Sequence, residues 1–148
     1  MITIKHILVA TDFSDSSAAA LRYGRELARS YQATLHVMHV VDDLRWRYSL
    51  DMTPSLMVGV QESLEDAARI QMRDYITEED RRQLHATEIV ETAVSPSEAV
   101  VEYAKRVEID IIVLGTHGRG GIPRMLLGSV AERVVRLAPC PVLTVRTD

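Results

Sequence analysis

Five short apolar runs, separated by stretches of helical spacing, restrict this chain more than any other feature. His6–Ala10 (HILVA), Thr34–Val41 (TLHVMHVV), His85–Val94 (HATEIVETAV), Asp110–Leu114 (DIIVL) and Pro141–Arg146 (PVLTVR) read as strands. The first is β-branched on both faces, as a fully buried strand is, and the fourth is the most hydrophobic. The partial alternation of His85–Val94 puts that run nearer a sheet edge. Between the strands, Ala18, Leu21, Leu27 and Ala28 recur at roughly helical spacing behind a Ser14 cap. Thr53 and Pro54 look like an N-cap and a first helical position, and a long helix follows from Ser55 to about Arg82. Within it, Thr77-Glu78-Glu79-Asp80 can start a second short turn. Ser95-Pro96-Ser97-Glu98 opens a helix to about Val107, with Glu98 spaced to close a capping box on Ser95. Ser129–Leu137 is the last helix. Such alternation predicts an α/β fold: one open parallel sheet with right-handed crossovers and helices on both faces. No repeat, linker or low-complexity segment interrupts it, so residues 1–148 are expected to form a single domain.

Composition removes several function classes. With Lys+Arg 17 against Asp+Glu 21, the balance of charge is a poor footprint for nucleic acid, which wants a basic face. Met1–Ala10 has neither the apolar core nor the cleavage site of a signal peptide, and no apolar run approaches the ~20 residues of a membrane helix. A cytoplasmic protein with no membrane or nucleic-acid partner is expected. The single Cys140 cannot form an internal bridge; flanked by Pro139 and Pro141, it reads as a small apolar filler.

The chemistry concentrates in Gly115–Ser129 (GTHGRGGIPRMLLGS), which leaves a buried strand and delivers the chain to a helix start. In open α/β sheets ligands bind at that edge, where the strand order reverses. Glycines let backbone N–H groups approach an anion and permit positive φ. Gly128-Ser129 adds the free amides and positive end of a helix, and His117, Arg119 and Arg124 bring charge nearby. A loop of this kind suits polyphosphate. It is not a P-loop, because no Gly-Lys-Ser/Thr follows, nor a dinucleotide fingerprint, which would follow the first strand. Ser129 has a second reading: with Glu132 it has capping-box spacing. Asp12 can either cap the next helix or face the ligand edge. His117, Arg119 and Arg124 are phosphate contacts or solvated loop residues.

The spacing Gly115, two residues, Gly118, nine residues, Gly128-Ser129 resembles the nucleotide-binding signature of the universal stress proteins. The resemblance covers nearly the whole chain: Ile7–Ser14 (ILVATDFS) is similar to the family's opening strand and acidic turn, Leu35–Asp42 (LHVMHVVD) to its second strand, and Asp110–Gly120 and Leu127–Val145 to its closing half. It implies a Rossmann-like sheet of the adenine nucleotide alpha hydrolase kind, with strand order 3-2-1-4-5, and the binding of ATP, or ADP or AMP, with Mg²⁺ accompanying the phosphates. It places Asp12, after Ala10 and Thr11, against the ribose or adenine, and Val40 with backbone bonds to adenine. Leu114, Gly115 and Gly118 then line ribose and phosphates, with His117 and Arg119 beside them, and Gly128, Ser129 and Val130 hold the phosphates. The last strand, 141–146, matches one that pairs with its twin in many family dimers. Ser95 stands where the family often has glycine, at a helix start away from the loop.

The remaining candidates are weaker. His36 and His39 are three apart on a strand, so they face opposite sides and cannot share a metal. Arg45-Trp46-Arg47-Tyr48 suits a loop over the nucleotide or a subunit contact better than single-stranded nucleic acid. No catalytic constellation is visible. The expectation is a nucleotide-binding stress-response regulator that signals to a protein partner. The alternatives are a slow ATPase or nucleotidyl-transfer enzyme, with His117 as its base, and a non-binding homodimerisation module.

Overall fold

The computed structural model describes residues 1–47, 53–117 and 127–147. The chain runs β1 (His6–Ala10), α1 (Asp15–Tyr31), β2 (Thr34–Asp42), α2 (Leu44–Arg47), α3 (Pro54–Tyr75), α4 (Glu78–Gln83), β3 (Thr87–Ala93), α5 (Pro96–Arg106), β4 (Ile111–Gly115), α6 (Ser129–Leu137) and β5 (Val142–Val145). The strands form one parallel sheet in the order β3-β2-β1-β4-β5. β3 is an edge strand, in line with its partial alternation.

Alternate residues of the central strands feed two cores. Ile7, Val9, Leu35, Val37 and Val113 pack with Ala20, Leu21 and Ala28 of α1 and Met72 of α3. Leu8, Met38, Ile112 and Leu114 pack on the opposite face with Val100, Tyr103 and Ala104 of α5 and Ala131 and Val134 of α6. Both faces of the sheet are therefore covered, and this is why β1 and β4 carry apolar residues at consecutive positions rather than at every second one.

Three local expectations need correction. The segment from Ser55 to Arg82 is two helices, because the chain turns extended at Ile76 and Thr77 caps a new helix through a capping box with Asp80. Asp80 is buried and receives a two-pronged contact from Arg25 of α1 at 2.9 and 2.7 Å, so α4 is anchored by an ion pair as well as by its cap. At α5, Ser95 accepts from the Glu98 amide, but the Glu98 carboxylate reaches Arg133 of α6 instead of completing the box. The run Arg45-Trp46-Arg47-Tyr48 is expected as a loop or subunit contact, but Leu44–Arg47 form one helical turn, and Tyr48 lies outside the described residues.

His36 and His39 do face opposite sides of β2. His36 is buried, with Nδ1 2.9 Å from the Tyr103 hydroxyl and Nε2 3.2 Å from Nδ1 of His6. Burial, and secondarily the charge of His6, lower its pKa from 6.5 to about 4. A histidine lowered in the folded state stays neutral there while the unfolded chain takes up a proton. Its effect is complete stability above pH 6.5 and progressive loss as the pH falls towards 4. Urea denaturation should show a loss of roughly 2–3 kcal/mol from this group across that window. A His36→Gln variant should show a correspondingly flatter pH profile; equal slopes would exclude His36 as the source.

Candidate functional site

A cleft opens where β1 ends. The β1–β2 ladder closes with the Thr11 amide donating to the Met38 carbonyl at 2.8 Å, while β2 continues to Asp42. From Thr11 the chain turns into α1. The Phe13 amide donates to Thr11 Oγ1 and the Ser14 amide to Asp12 Oδ1, each at 3.0 Å. Ser14 then caps α1 by accepting from the Ser17 amide. Phe13 sits at φ 62°, a left-handed conformation unusual for an aromatic residue. Its ring lies 4.5 Å from that of His39 and edge-on to Tyr75 at 5.3 Å. Asp12 therefore serves the turn and lines the cleft.

On the other side of β1, β4 ends at Gly115. A Cβ there would lie 2.2 Å from Ser16 Oγ and 2.7 Å from the Ser16 carbonyl carbon, so only glycine lets the first turn of α1 settle against β4. Thr116, buried, donates its amide to the Val145 carbonyl at 3.0 Å and accepts the Gly128 amide at 2.5 Å. Its hydroxyl is 3.0 Å from His117 Nδ1. Thr116 thus joins β5, the start of α6 and His117. Gly128 is the N-cap of α6, and the first intrahelical bond runs from the Glu132 amide to the Gly128 carbonyl at 2.9 Å. The amides of Ser129, Val130 and Ala131 precede that bond and meet no acceptor among the described residues.

The third side is the free edge of β2. In its ladder with β1, Thr34 donates to Lys5 and Met38 accepts from Thr11, so the next residue facing the β1 side is Val40. Neither its N–H nor its C=O has a partner among the described residues. Beyond it, buried Gln61 of α3 closes the edge: its Oε1 accepts the Leu44 amide at 2.9 Å and its Nε2 donates to the Asp42 carbonyl at 3.2 Å. Together these elements enclose about 830 Å³.

The sequence pattern of the universal stress protein family matches residues 3–146. The chain belongs to this family. Universal stress protein MJ0531 of Methanocaldococcus jannaschii is 35% identical, covering 96% of this chain and 82% of that protein. Universal stress protein UspA from Lactobacillus plantarum superposes with a TM-score of 0.76 at 30% identity, covering 97% of this chain and 99% of the other. A universal stress protein solved in complex with cAMP does so with a TM-score of 0.60 at 26% identity, over 99% of both chains.

Of the residues singled out from the sequence, Ala10, Thr11 and Asp12 line the cleft at the β1 end and Val40 at the β2 edge. Leu114, Gly115 and His117 line it from β4, and Gly128, Ser129 and Val130 from the start of α6. Gly118, Arg119 and Arg124 lie outside the described residues. Two roles change. The Gly128 amide is not bared for an anion, since Thr116 already takes it. Ser129 is the first helical residue rather than the cap, so it forms no capping box, and the Glu132 carboxylate pairs with Arg136 instead. None of the described glycines has positive φ, and Gly115 is glycine for close packing. Sequence reasoning missed Phe13, Thr116 and Gln61, and it weighed His39 only as a metal ligand. Of these, only Phe13 and Thr116 carry a sequence signal, through adjacency to Asp12 and Gly115.

This account of Gly115 is open to a direct check. Gly115→Ala should destabilise the fold by about 1–3 kcal/mol in urea denaturation, because the methyl group meets the Ser16 main chain as well as its side-chain oxygen. An unchanged midpoint would show that α1 shifts freely.

Proposed function

We propose that this chain binds ATP, or ADP or AMP, in the cleft over β1, β2 and β4, and passes the bound state on to a protein partner as a regulator. The observation that carries the reading is the pairing of two open main-chain features across one cleft. At the β2 edge, Val40 presents a donor and an acceptor on one residue. That pair complements adenine, whose ring nitrogen N1 accepts and whose N6 amino group donates; guanine offers the opposite polarity at the same positions. At the α6 start, the Ser129, Val130 and Ala131 amides and the positive helix end suit phosphate oxygens. The cAMP complex of the related family member supports an adenine nucleotide as the class of ligand.

Mg²⁺ would enter with the phosphates, since no group of three or more His, Cys, Asp or Glu among the described residues could hold an ion. Asp12 is the carboxylate at the β1 end of the cleft that could face it. A regulatory role suits a cleft in which main-chain amides and a carbonyl are prominent among the open hydrogen-bonding groups of the described residues. We further propose a homodimer through β5, which forms an open sheet edge. Gel filtration should give twice the monomer mass, and a purely monomeric protein would remove that part.

Calorimetric titration should show ATP bound at least about tenfold more tightly than GTP, the difference of one well-made polar contact. Ser129→Pro is a sharp test of the phosphate end. Proline is favourable at a first helical position, and Gly128, at φ −69° and ψ 166°, already has the extended shape that precedes proline. The variant should keep its melting temperature and lose about tenfold or more in ATP affinity through the missing amide and hydroxyl. ATP affinity equal to that of the parent protein would count against α6 as the phosphate seat.

A further inference from the structure

Continuing the β1–β2 ladder by one step would bring the Val40 amide onto the Thr11 carbonyl. His6 pairs with Thr34 and Ala10 with Met38, so the next partners would be Asp12 and Val40, with Val40 donating to the residue before Asp12. The structure uses the Thr11 carbonyl differently. Nδ1 of His39 lies 2.8 Å from it. A carbonyl oxygen only accepts, so Nδ1 is the donor of this bond. His39 projects from the α1 and α3 side of β2, and its ring is held against Phe13, whose centroid is 4.5 Å away. The left-handed turn at Phe13 is what carries that ring over the imidazole. At the same time the Thr11 hydroxyl accepts the Phe13 amide and donates to Ser17, which fixes the residue whose carbonyl is in question.

We propose that His39 is a positioning residue for adenine recognition: by taking the Thr11 carbonyl it keeps that group off the Val40 amide, which stays open to the ligand. Without His39, the Thr11 carbonyl would lose its donor among the described residues, and the Val40 amide, two residues beyond the last ladder bond, is the partner that the next rung of the ladder would bring to it. Satisfying it there would extend the sheet by one rung and close the donor that reads the base. Gln61 performs the complementary task at the other end, occupying the Asp42 carbonyl and the Leu44 amide. The ligand-reading edge is thus a gap in the sheet held open by two side chains. The inference rests on the nucleotide reading for its purpose but not for its geometry.

Two measurements on His39→Leu and His39→Asn test it. Asparagine places its amide nitrogen near the position of Nδ1 and keeps the donor, whereas leucine removes it. Amide hydrogen exchange followed by NMR on the ligand-free protein should show Val40 exchanging fast in the parent and in His39→Asn. In His39→Leu it should slow at least about tenfold, as the Thr11 carbonyl moves onto it. Calorimetry should show ATP affinity falling about 10–100-fold in His39→Leu and staying within about threefold in His39→Asn. Both variants lose the imidazole face that Phe13 stacks on, so damage to packing alone would weaken the two equally. That outcome, or unchanged Val40 exchange in His39→Leu, overturns the proposal. A parent protein that ignores ATP while Val40 exchange responds as described would instead overturn the nucleotide reading and leave the positioning role standing. If His39→Leu does not fold, His39→Met, which likewise lacks a donor, is read in its place with the same expected results.

Discussion

The mismatch in length between β1 and β2 governs the rest of this structure. β1 is five residues long and β2 is nine, and they start in register, so β2 overhangs its neighbour. β1 also sits at the point where the strand order turns back, with β2 on one side and β4 on the other. A parallel sheet buried on both faces leaves its chemistry nowhere but at the strand ends. The overhang turns one such end into an edge of exposed main-chain donors and acceptors. The same early stop lets the chain climb from Thr11 into α1, whose first turn then presses on Gly115 of β4. Cleft and helix placement are two consequences of one strand ending early.

The site that results is built chiefly from backbone. Val40 contributes its own N–H and C=O, and α6 contributes amides that its geometry leaves over. Side chains act mainly by occupying competing groups. Thr116 takes the Gly128 amide, Gln61 takes the Asp42 carbonyl and the Leu44 amide, and His39 takes the Thr11 carbonyl. Such a design tolerates variation at many exposed positions, since main-chain groups are common to all residues. It is far less tolerant where a specific polar group must be satisfied, because an unpaired buried donor or acceptor costs about 1–3 kcal/mol.

The glycines illustrate how far a spacing pattern can be trusted. Gly115 and Gly128 line the cleft at the end of β4 and the start of α6, yet their physical reasons differ from the general one. Gly115 is required by the Ser16 main chain, and Gly128 is an N-cap in extended conformation with its amide already engaged. A Gly-rich loop can serve an anion without each glycine contacting it. Similarly, the Ser95 and Glu98 spacing suggested a closed box, but Glu98 had a better partner in Arg133 across α5 and α6.

Local and periodic properties were legible from the residues alone. Apolar runs at His6–Ala10 and Asp110–Leu114 reveal strands covered on both faces, because burial on two sides removes alternation. The caps at Ser14 and Ser95 and the proline after Thr53 mark helix starts, because those side chains and rings fit only the end of a helix. The approximate place of the cleft followed from where such strands stop. What required the folded chain was every pairing between distant residues. That the Thr11 carbonyl meets an imidazole 28 positions away, that Gln61 reaches back to β2, and that the Val40 amide is left over all depend on register and on α3 lying beside the overhang. Sequence order encodes which groups exist, but a hydrogen bond depends on distance and direction in space, and only the tertiary structure decides which of those groups find each other and which remain open.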